Sequence, residues 1–270
     1  ITFETFKEAQ LADPFCYTMM QNPGKSFRIQ DNVLLKISKN DKLVLPTSLL
    51  PLLINSAHNT IFSIHLSKSQ IYKKLSAIYF HPSMEKEIAK VVDSCYLCRI
   101  SKSTTTQATH LGRKEYAETP RTEWLFDIAP MNPVRGFRYI YLFVDSFTQK
   151  TKLVAAKTRT TDEIIEAVKT DIIGSFGMFD RFYSDNEPAI KSDVFQDFLT
   201  QLGITPQSNA PNSPFSNGVP EKIVSLTKES IRLFTRSTNT DWVDQLPYIN
   251  LGLNHRLLSS GHTPDQLTFG

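Results

Sequence analysis

The chain has 270 residues and a formal net charge of +3, and 40% of its residues are hydrophobic and 21% are charged. This is ordinary globular material, long enough for two domains but not for many. No run of about 18 apolar residues occurs and the N-terminus lacks a signal pattern, so we expect a soluble intracellular protein without a membrane span. Because the chain starts at Ile1 without a methionine, we expect a piece of a longer polyprotein.

Charge is distributed unevenly along the chain. Residues 1–57 carry 6 basic and 5 acidic side chains, residues 58–115 carry 9 and 4, and residues 116–270 carry 15 and 18. A basic segment beside an acidic one is what a phosphate-binding module next to a carboxylate metal site would give, although a solvated face gives the same imbalance. The charge pattern therefore permits nucleic-acid binding without requiring it.

The first hundred residues combine a small lead-in unit with three short helices. A helix is predicted over residues 3–11, and polar breaks then separate strands over 26–29, 33–37 and 43–46. Helical spacing returns over residues 49–58, 68–79 and 84–95. Residues 99–122 are rich in Ser, Thr, Gln, Gly and Lys, which is the composition of a linker.

From residue 123 onward, aromatic and β-branched residues indicate strands. The predicted strands cover residues 124–128, 139–147, 152–157, 181–184 and 204–208. The predicted helices are 161–176, capped by Thr161, then 193–203, capped by Asp193, and a third that starts near Pro220. The order β-β-β-α-β-α-β-α predicts an α/β (α+β) fold, with one mixed sheet and helices on its faces.

Two histidines and two cysteines have the spacing of a zinc site. His58 and His65 are separated by six residues, and twenty-nine more precede the pair Cys95 and Cys98. Tetrahedral zinc takes such nitrogen and sulfur ligands, and a helical unit too small for its own core needs the metal as a staple.

Other histidines and another cysteine leave alternatives to this zinc set. A lone pair of cysteines two residues apart also occurs by chance and in redox motifs. His81 and His110 are competing imidazoles, although one lies beside Pro82 and the other in the linker. Cys16 is left over, and we expect a buried or idle thiol there.

Three acids stand at the borders of apolar elements. Asp127 lies within a predicted strand, Asp185 follows one, and Glu221 lies in the first turn of the last predicted helix. A carboxylate in such a place costs desolvation unless it is paired or holds a metal, and Mg²⁺ or Mn²⁺ prefers such oxygens. Asp145 also ends a strand and would merely cap a turn, whereas Glu187 would be a rim residue or an additional ligand.

Taken together, these motifs resemble the integrases of LTR retrotransposons and retroviruses, nearest to gypsy-type elements. The histidines and cysteines are similar to the family's HHCC zinc domain, and thirty-five residues separate Asp185 from Glu221, the family's interval. The acids fall within three blocks that resemble its DDE motifs, at residues 124–127, 183–186 and 214–221. Residues 254–256 and 261–264 resemble its closing segment.

The resemblance implies an RNase H-like mixed sheet flanked by helices, preceded by a small helical zinc-binding domain and a short N-terminal extension. The implied segments are 1–55 (N-terminal extension), 56–102 (zinc-binding domain), 103–122 (linker) and 123–270 (catalytic core). Zinc would be structural, held by His58, His65, Cys95 and Cys98. Magnesium or manganese would be catalytic, held by Asp127, Asp185 and Glu221.

The resemblance also implies a function and partners. The protein would process the 3′ ends of element DNA and transfer them into host DNA in the nucleus, acting as a homo-oligomer. Contacts to DNA are expected from Asn217, Ser225, Lys228 and Arg232.

The chain departs from the family pattern at Ile64, Ser67, Glu187, Phe215 and Lys222. The alternative reading is therefore an inactive, host-adopted protein that only binds DNA or protein. A nuclease of the RNase H type is a third reading, which the zinc motif disfavours.

Overall fold

The computed structural model describes residues 2–59, 65–96, 98, 117–185, 187–208, 225–231 and 241–270. The chain divides into two compact units, residues 1–100 and residues 101–270. Within the described residues, no helix combines the length and the hydropathy that crossing a bilayer requires. The finer division into four segments stays a prediction.

The first unit begins with two helices packed on a small sheet. Helices α1 (Phe3–Ala12) and α2 (Pro14–Gln21) meet at Asp13, whose carboxylate accepts a hydrogen bond from the Cys16 N–H and caps α2. The strands are β1 (Phe27–Gln30), β2 (Val33–Lys36) and β3 (Lys42–Val44). The buried Gln10 side chain donates to the Leu34 carbonyl and accepts from the Leu34 N–H, which fastens α1 to β2.

The predicted helices of the zinc segment are present, and a short strand of the same segment pairs with a strand of the N-terminal segment. The helices are α3 (Leu50–Asn59), α4 (Lys68–Ser76) and α5 (Met84–Ser94). A short strand β4 (Tyr79–Phe80) pairs in parallel with β3. Residues predicted as two segments, 1–55 and 56–102, therefore contribute strands to one sheet.

The second unit is built on a mixed sheet, as predicted. Its strands are β5 (Glu123–Val134), β6 (Phe137–Asp145), β7 (Thr151–Ala156), β8 (Arg181–Ser184) and β9 (Thr205–Ser208). Their order across the sheet is β7-β6-β5-β8-β9. The first three form an antiparallel meander, whereas β8 and β9 run parallel to β5.

Helices connect and cover these strands. They are α6 (Thr161–Ala167), continued by a π-helical stretch (Val168–Ile173) and by α7 (Gly174–Phe176), then α8 (Pro188–Lys191), α9 (Asp193–Gln201), α10 (225–231), α11 (Trp242–His255) and α12 (Pro264–Phe269). The predicted caps Thr161 and Asp193 were wrong by one residue. Thr160 and Ser192 have the extended backbone of N-cap positions, so the next residue already begins the helix.

The core of the second unit is an aromatic cluster on the sheet. Phe126 packs against Tyr141, Phe143 and Phe182, with ring centroids 4.9 to 5.6 Å apart. These rings come from the three central strands β5, β6 and β8, and they are at most 4% exposed. The residue after Phe126 is Asp127, so the core fixes the strand that carries this acid.

Candidate functional site

The first unit brings together the four side chains predicted to hold zinc. One ligand atom from each of His58, His65, Cys95 and Cys98 lies within 4.8 Å of the other three. The Cys98 sulfur is 3.4 Å from His58 Nε2 and 3.4 Å from His65 Nδ1. The Cys95 sulfur is 3.5 Å from His65 Nδ1.

These separations fit a tetrahedral ion. With Zn–N near 2.05 Å and Zn–S near 2.3 Å, a nitrogen and a sulfur at tetrahedral angles lie about 3.6 Å apart. The measured nitrogen–sulfur distances are 3.4 to 3.5 Å. The cluster therefore has the size that one bound zinc ion requires.

Local structure orients the ligands. His58 lies in the last turn of α3, is fully buried, and has Nδ1 3.1 Å from the Leu66 carbonyl. An Nδ1–H donated to that carbonyl leaves Nε2 as the lone pair that faces Cys98. Cys95 is the C-cap residue of α5, where the chain leaves the helix and turns back. His65 has φ of 50°, a left-handed conformation that is uncommon outside glycine.

The competing residues are engaged elsewhere or lie outside the described part of the chain. His81 accepts a hydrogen bond from the Ser83 N–H and contacts the Thr47 hydroxyl, and burial lowers its pKa. Cys16 is fully buried, and burial together with the Asp13 charge raises the pKa of its thiol to about 12. His110 is outside the described residues.

The second unit places Asp127 and Asp185 at the same end of the pairing between two neighbouring strands. The parallel strands β5 and β8 pair from Glu123 opposite Arg181 to Phe126 opposite Ser184. Asp127 and Asp185 each follow the last of these paired positions. Because parallel strands point the same way, both aspartates lie at the carboxyl ends of the pairing.

The two aspartates are accessible to solvent and held by the main chain. Asp127 is half-buried and Asp185 is exposed. Asp127 Oδ1 accepts a hydrogen bond of 2.7 Å from the Ile128 N–H, and Asp185 Oδ1 accepts one of 3.3 Å from the Glu187 N–H. A cavity of about 350 Å³ opens beside Asp185, and Lys191 also lines it.

The competing acids have other partners. Asp145 is fully buried, and its carboxylate accepts hydrogen bonds from the Arg121 N–H, the Thr148 N–H and the Thr148 hydroxyl. Burial raises the pKa of Asp145. Glu187 Oε1 lies 3.2 Å from Arg159 Nη1 and forms an ion pair. Asp145 therefore caps a turn, as one interpretation of the sequence expected. Glu187 is held by its ion pair with Arg159.

Two of the remaining predicted site residues lie on α10. Ser225 is exposed and Lys228 is half-buried on α10. Glu221, Asn217 and Arg232 lie outside the described residues.

The closing segment at residues 254–256 makes contacts that the sequence alone does not indicate. The Asn254 side chain accepts from the Thr151 N–H at 2.7 Å and donates to the Thr151 carbonyl at 2.8 Å. Arg256 is buried, donates to Gln149 Oε1, and has its pKa lowered to about 10 by burial. These contacts lie over a hundred residues apart in the chain, so no local pattern could have found them.

The strand order, with two acids directly after the paired stretch of adjacent parallel strands, defines an RNase H-like sheet that follows the candidate zinc cluster in the chain. The family model described as "Integrase zinc binding domain" matches residues 45–104, and "Integrase core domain" matches residues 117–214. The chain therefore contains the zinc-binding domain and the core domain of a retroviral-type integrase.

Curated relatives and solved structures agree with this. The Pro-Pol polyprotein of simian foamy virus type 3 (strain LK3) is 28% identical over 247 residues, which cover 90% of this chain and 21% of the polyprotein. The Gag-Pol polyprotein of koala retrovirus is 27% identical over 209 residues, covering 76% of this chain and 12% of the polyprotein. The chain thus spans about a fifth or less of these two polyproteins.

A solved structure shares the fold. A chain of the simian T-cell lymphotropic virus intasome, solved by cryo-electron microscopy in complex with PP2A regulatory subunit B56 gamma, matches with a TM-score of 0.55 and 20% identity. The match covers 82% of this chain and 72% of that chain. At this identity the likeness concerns the fold alone.

Proposed function

We propose that this chain is the zinc-binding and catalytic part of a retroelement integrase, which trims the 3′ ends of element DNA and joins them to host DNA. The observation that carries the proposal is the position of Asp127 and Asp185, each one residue beyond the last paired positions of two adjacent parallel strands. Residues at this position lie on neighbouring strands, which are about 4.8 Å apart, and neither carboxylate is fully buried. The matches to the two integrase models support the same function.

The acids would hold magnesium or manganese, with Glu221 as the third carboxylate. Hard divalent cations prefer carboxylate oxygens and keep open positions for phosphate. Two such ions, when bound, activate the attacking oxygen and stabilise the leaving oxygen of a DNA phosphodiester. The protein's own part is to fix the ligands, and the Ile128 and Glu187 N–H groups do this for Asp127 and Asp185.

The zinc would staple the first unit. Its donor set of two imidazoles and two thiols within 4.8 Å fits a structural zinc site that leaves no open position. The small core around α3, α4 and α5 then gains the free energy of metal binding as folding free energy.

DNA would contact the residues on and near α10. Glu221, Ser225, Lys228 and Arg232 follow one another in the sequence at helical spacing, so a helix over all four would present the acid to metal and the bases to phosphate. Asn217 precedes this helix. We further propose that the protein acts as a homo-oligomer and in the nucleus, because element DNA must reach chromosomal DNA.

Strand transfer with Mg²⁺ tests the proposal. The full chain, with its zinc and any neighbouring domains it needs, is incubated with DNA carrying element ends and a supercoiled target. Joined products are expected from the wild type and not from Asp185→Asn, which keeps the side-chain volume and removes the charge. Asp145→Asn is the matched control, because this acid ends another strand of the same sheet and should retain joining at a temperature where it is folded.

Two other outcomes identify the alternatives. Absence of joining and cleavage in the wild type, together with retained DNA or protein binding, would indicate the inactive, host-adopted protein. Cleavage without joined products would indicate a nuclease of the RNase H type.

A further inference from the structure

Side-chain hydrogen bonds fix the loop that follows β7. Glu163 Oε1 accepts from the Lys157 N–H at 2.8 Å, and its Oε2 accepts from the Thr158 N–H at 2.7 Å. The Tyr141 hydroxyl donates to the Thr158 carbonyl at 2.9 Å. Arg159 follows directly, so its backbone starts from a well-defined position.

Arg159 forms an ion pair with a residue adjacent to the proposed metal site. Its Nη1 is 3.2 Å from Glu187 Oε1, and the Glu187 side chain is only 19% exposed although that of Arg159 is 60% exposed. Glu187 lies two residues after Asp185, and its N–H donates to the Asp185 carboxylate. The ion pair therefore connects the loop after β7 to the segment that orients Asp185.

Burial raises the pKa of Tyr141 on β6, and the charges of Glu163, Tyr139 and Glu187 raise it further, so the Glu187 carboxylate lies within electrostatic range of this tyrosine. Among the described residues, the zinc cluster is the only group of three or more His, Cys, Asp or Glu side chains close enough to share a metal ion. Glu187 is thus turned toward Arg159 and does not form such a group with Asp127 and Asp185.

An ion pair this exposed contributes little to stability. Its effect on charge is larger, since a free Glu187 would be an additional carboxylate two residues from Asp185. A glutamate side chain has three rotatable bonds and would take a metal position that Mg²⁺ otherwise keeps for water or phosphate. A counter-charge that keeps the Glu187 carboxylate away from the metal therefore leaves these coordination positions open for water or phosphate.

We propose that Arg159 is a positioning residue that holds the Glu187 carboxylate away from the metal ligands Asp127 and Asp185. The inference rests on the proposed function, because it presumes that these two aspartates bind divalent ions. It gives a role to a carboxylate that the sequence left as either a rim residue or an additional ligand.

Binding of Mn²⁺ to the zinc-loaded full chain without DNA, measured by electron paramagnetic resonance, tests this inference. In Arg159→Ala the released carboxylate should tighten Mn²⁺ binding about threefold to tenfold, since affinity follows the number of charged ligands. Arg159→Ala/Glu187→Gln should return to the wild-type affinity, and Arg159→Lys should keep it. Strand transfer with Mg²⁺ should fall in Arg159→Ala and recover in the double variant.

Arg135→Ala is the matched control. Arg135 forms an exposed ion pair of similar geometry with Asp241 and Asp244, in the same unit but at the turn between β5 and β6. Its loss should leave Mn²⁺ binding unchanged.

The result separates the two proposals. Wild-type Mn²⁺ binding by Arg159→Ala, or a defect that persists in the double variant, overturns the role of Arg159. If Asp185→Asn also binds Mn²⁺ like the wild type, the metal site itself is refuted and both proposals fall.

Discussion

Replacing Asn254 by alanine should destabilise the second unit strongly. Strand β7 is at the edge of the sheet, and the Asn254 amide satisfies both the N–H and the carbonyl of the buried Thr151. Each buried group left without a partner costs about 1–3 kcal/mol, so the loss amounts to about 2–6 kcal/mol. Alanine regains up to about 0.7 kcal/mol in helix propensity within α11.

Asn250→Ala is the matched control, one turn earlier on the same helix. Its Oδ1 is buried without a hydrogen-bond partner among the described residues, so its removal orphans no known donor. The propensity gain is the same at both positions, and the difference between the variants isolates the pairing with Thr151.

Urea denaturation followed by tryptophan fluorescence measures this difference. The two tryptophans of the chain, Trp124 and Trp242, both lie in the second unit, so their emission reports on that unit. With a slope of about 2 kcal/mol per molar urea, Asn254→Ala should lower the midpoint by about 1–3 M relative to Asn250→Ala. Midpoints within about 0.3 M of each other would refute the reasoning.

Three further predictions concern the other buried groups. Cys98→Ser, or a strong zinc chelator, should lower the far-ultraviolet helical signal of the first unit while the tryptophan emission of the second stays native. Because the pKa of Cys16 is about 12 in the folded state against 9.0 ordinarily, the unfolding free energy should fall as pH rises from 9 through 12, and this slope should be smaller in Cys16→Ala. Asp145→Asn replaces one carboxylate oxygen, which accepts from the Thr148 N–H, by an amide NH₂ that cannot accept. The unfolding free energy measured in urea should therefore fall by about 1–3 kcal/mol, while Mn²⁺ binding should stay that of the wild type.

The sheet of the second unit was predictable because its strands have a strong local pattern. The strand over residues 181–184 was placed with the bounds that the structure has. The predicted strand over 124–128 was too short, because β5 continues to Val134 through Pro130 and Pro133, residues that count against a strand in sequence. Pairing with β6, interrupted by a register shift between Pro130 and Val134, keeps the strand extended there.

Two helices had no predicted bounds. Helix α2 was missed although its start has a local signal, with Asp13 as N-cap and Pro14 as the first helical residue. No bounds were predicted for α11, since Pro247 and Gly252 lie inside it. Burial of Ile249 and Leu253 outweighs the local cost of these two residues.

The candidate zinc cluster was the part of the site that spacing predicted best. Cysteines two residues apart lie close together, and the two helices α4 and α5, which follow His65, return the chain to the histidines. The Arg159–Glu187 ion pair had no such signal. Its only trace in the sequence is that a departure from the family pattern, Glu187, is acidic, and nothing there indicates which base accompanies it.

The carboxylates show most clearly why direction along the sheet has to be known. Asp127 and Asp145 both follow an apolar run in their strands, so local sequence treats them alike. Strands β5 and β6 are antiparallel, with Trp124 opposite Asp145 and Asp127 opposite Leu142, so the two acids lie three residue positions apart along the sheet. Strand β8 reaches the sheet through the helical crossover after β7 and runs parallel to β5, so Asp185 arrives at the end where Asp127 lies. The order and register of the strands, and not the strength of any single motif, therefore place Asp127 beside Asp185 and not beside Asp145.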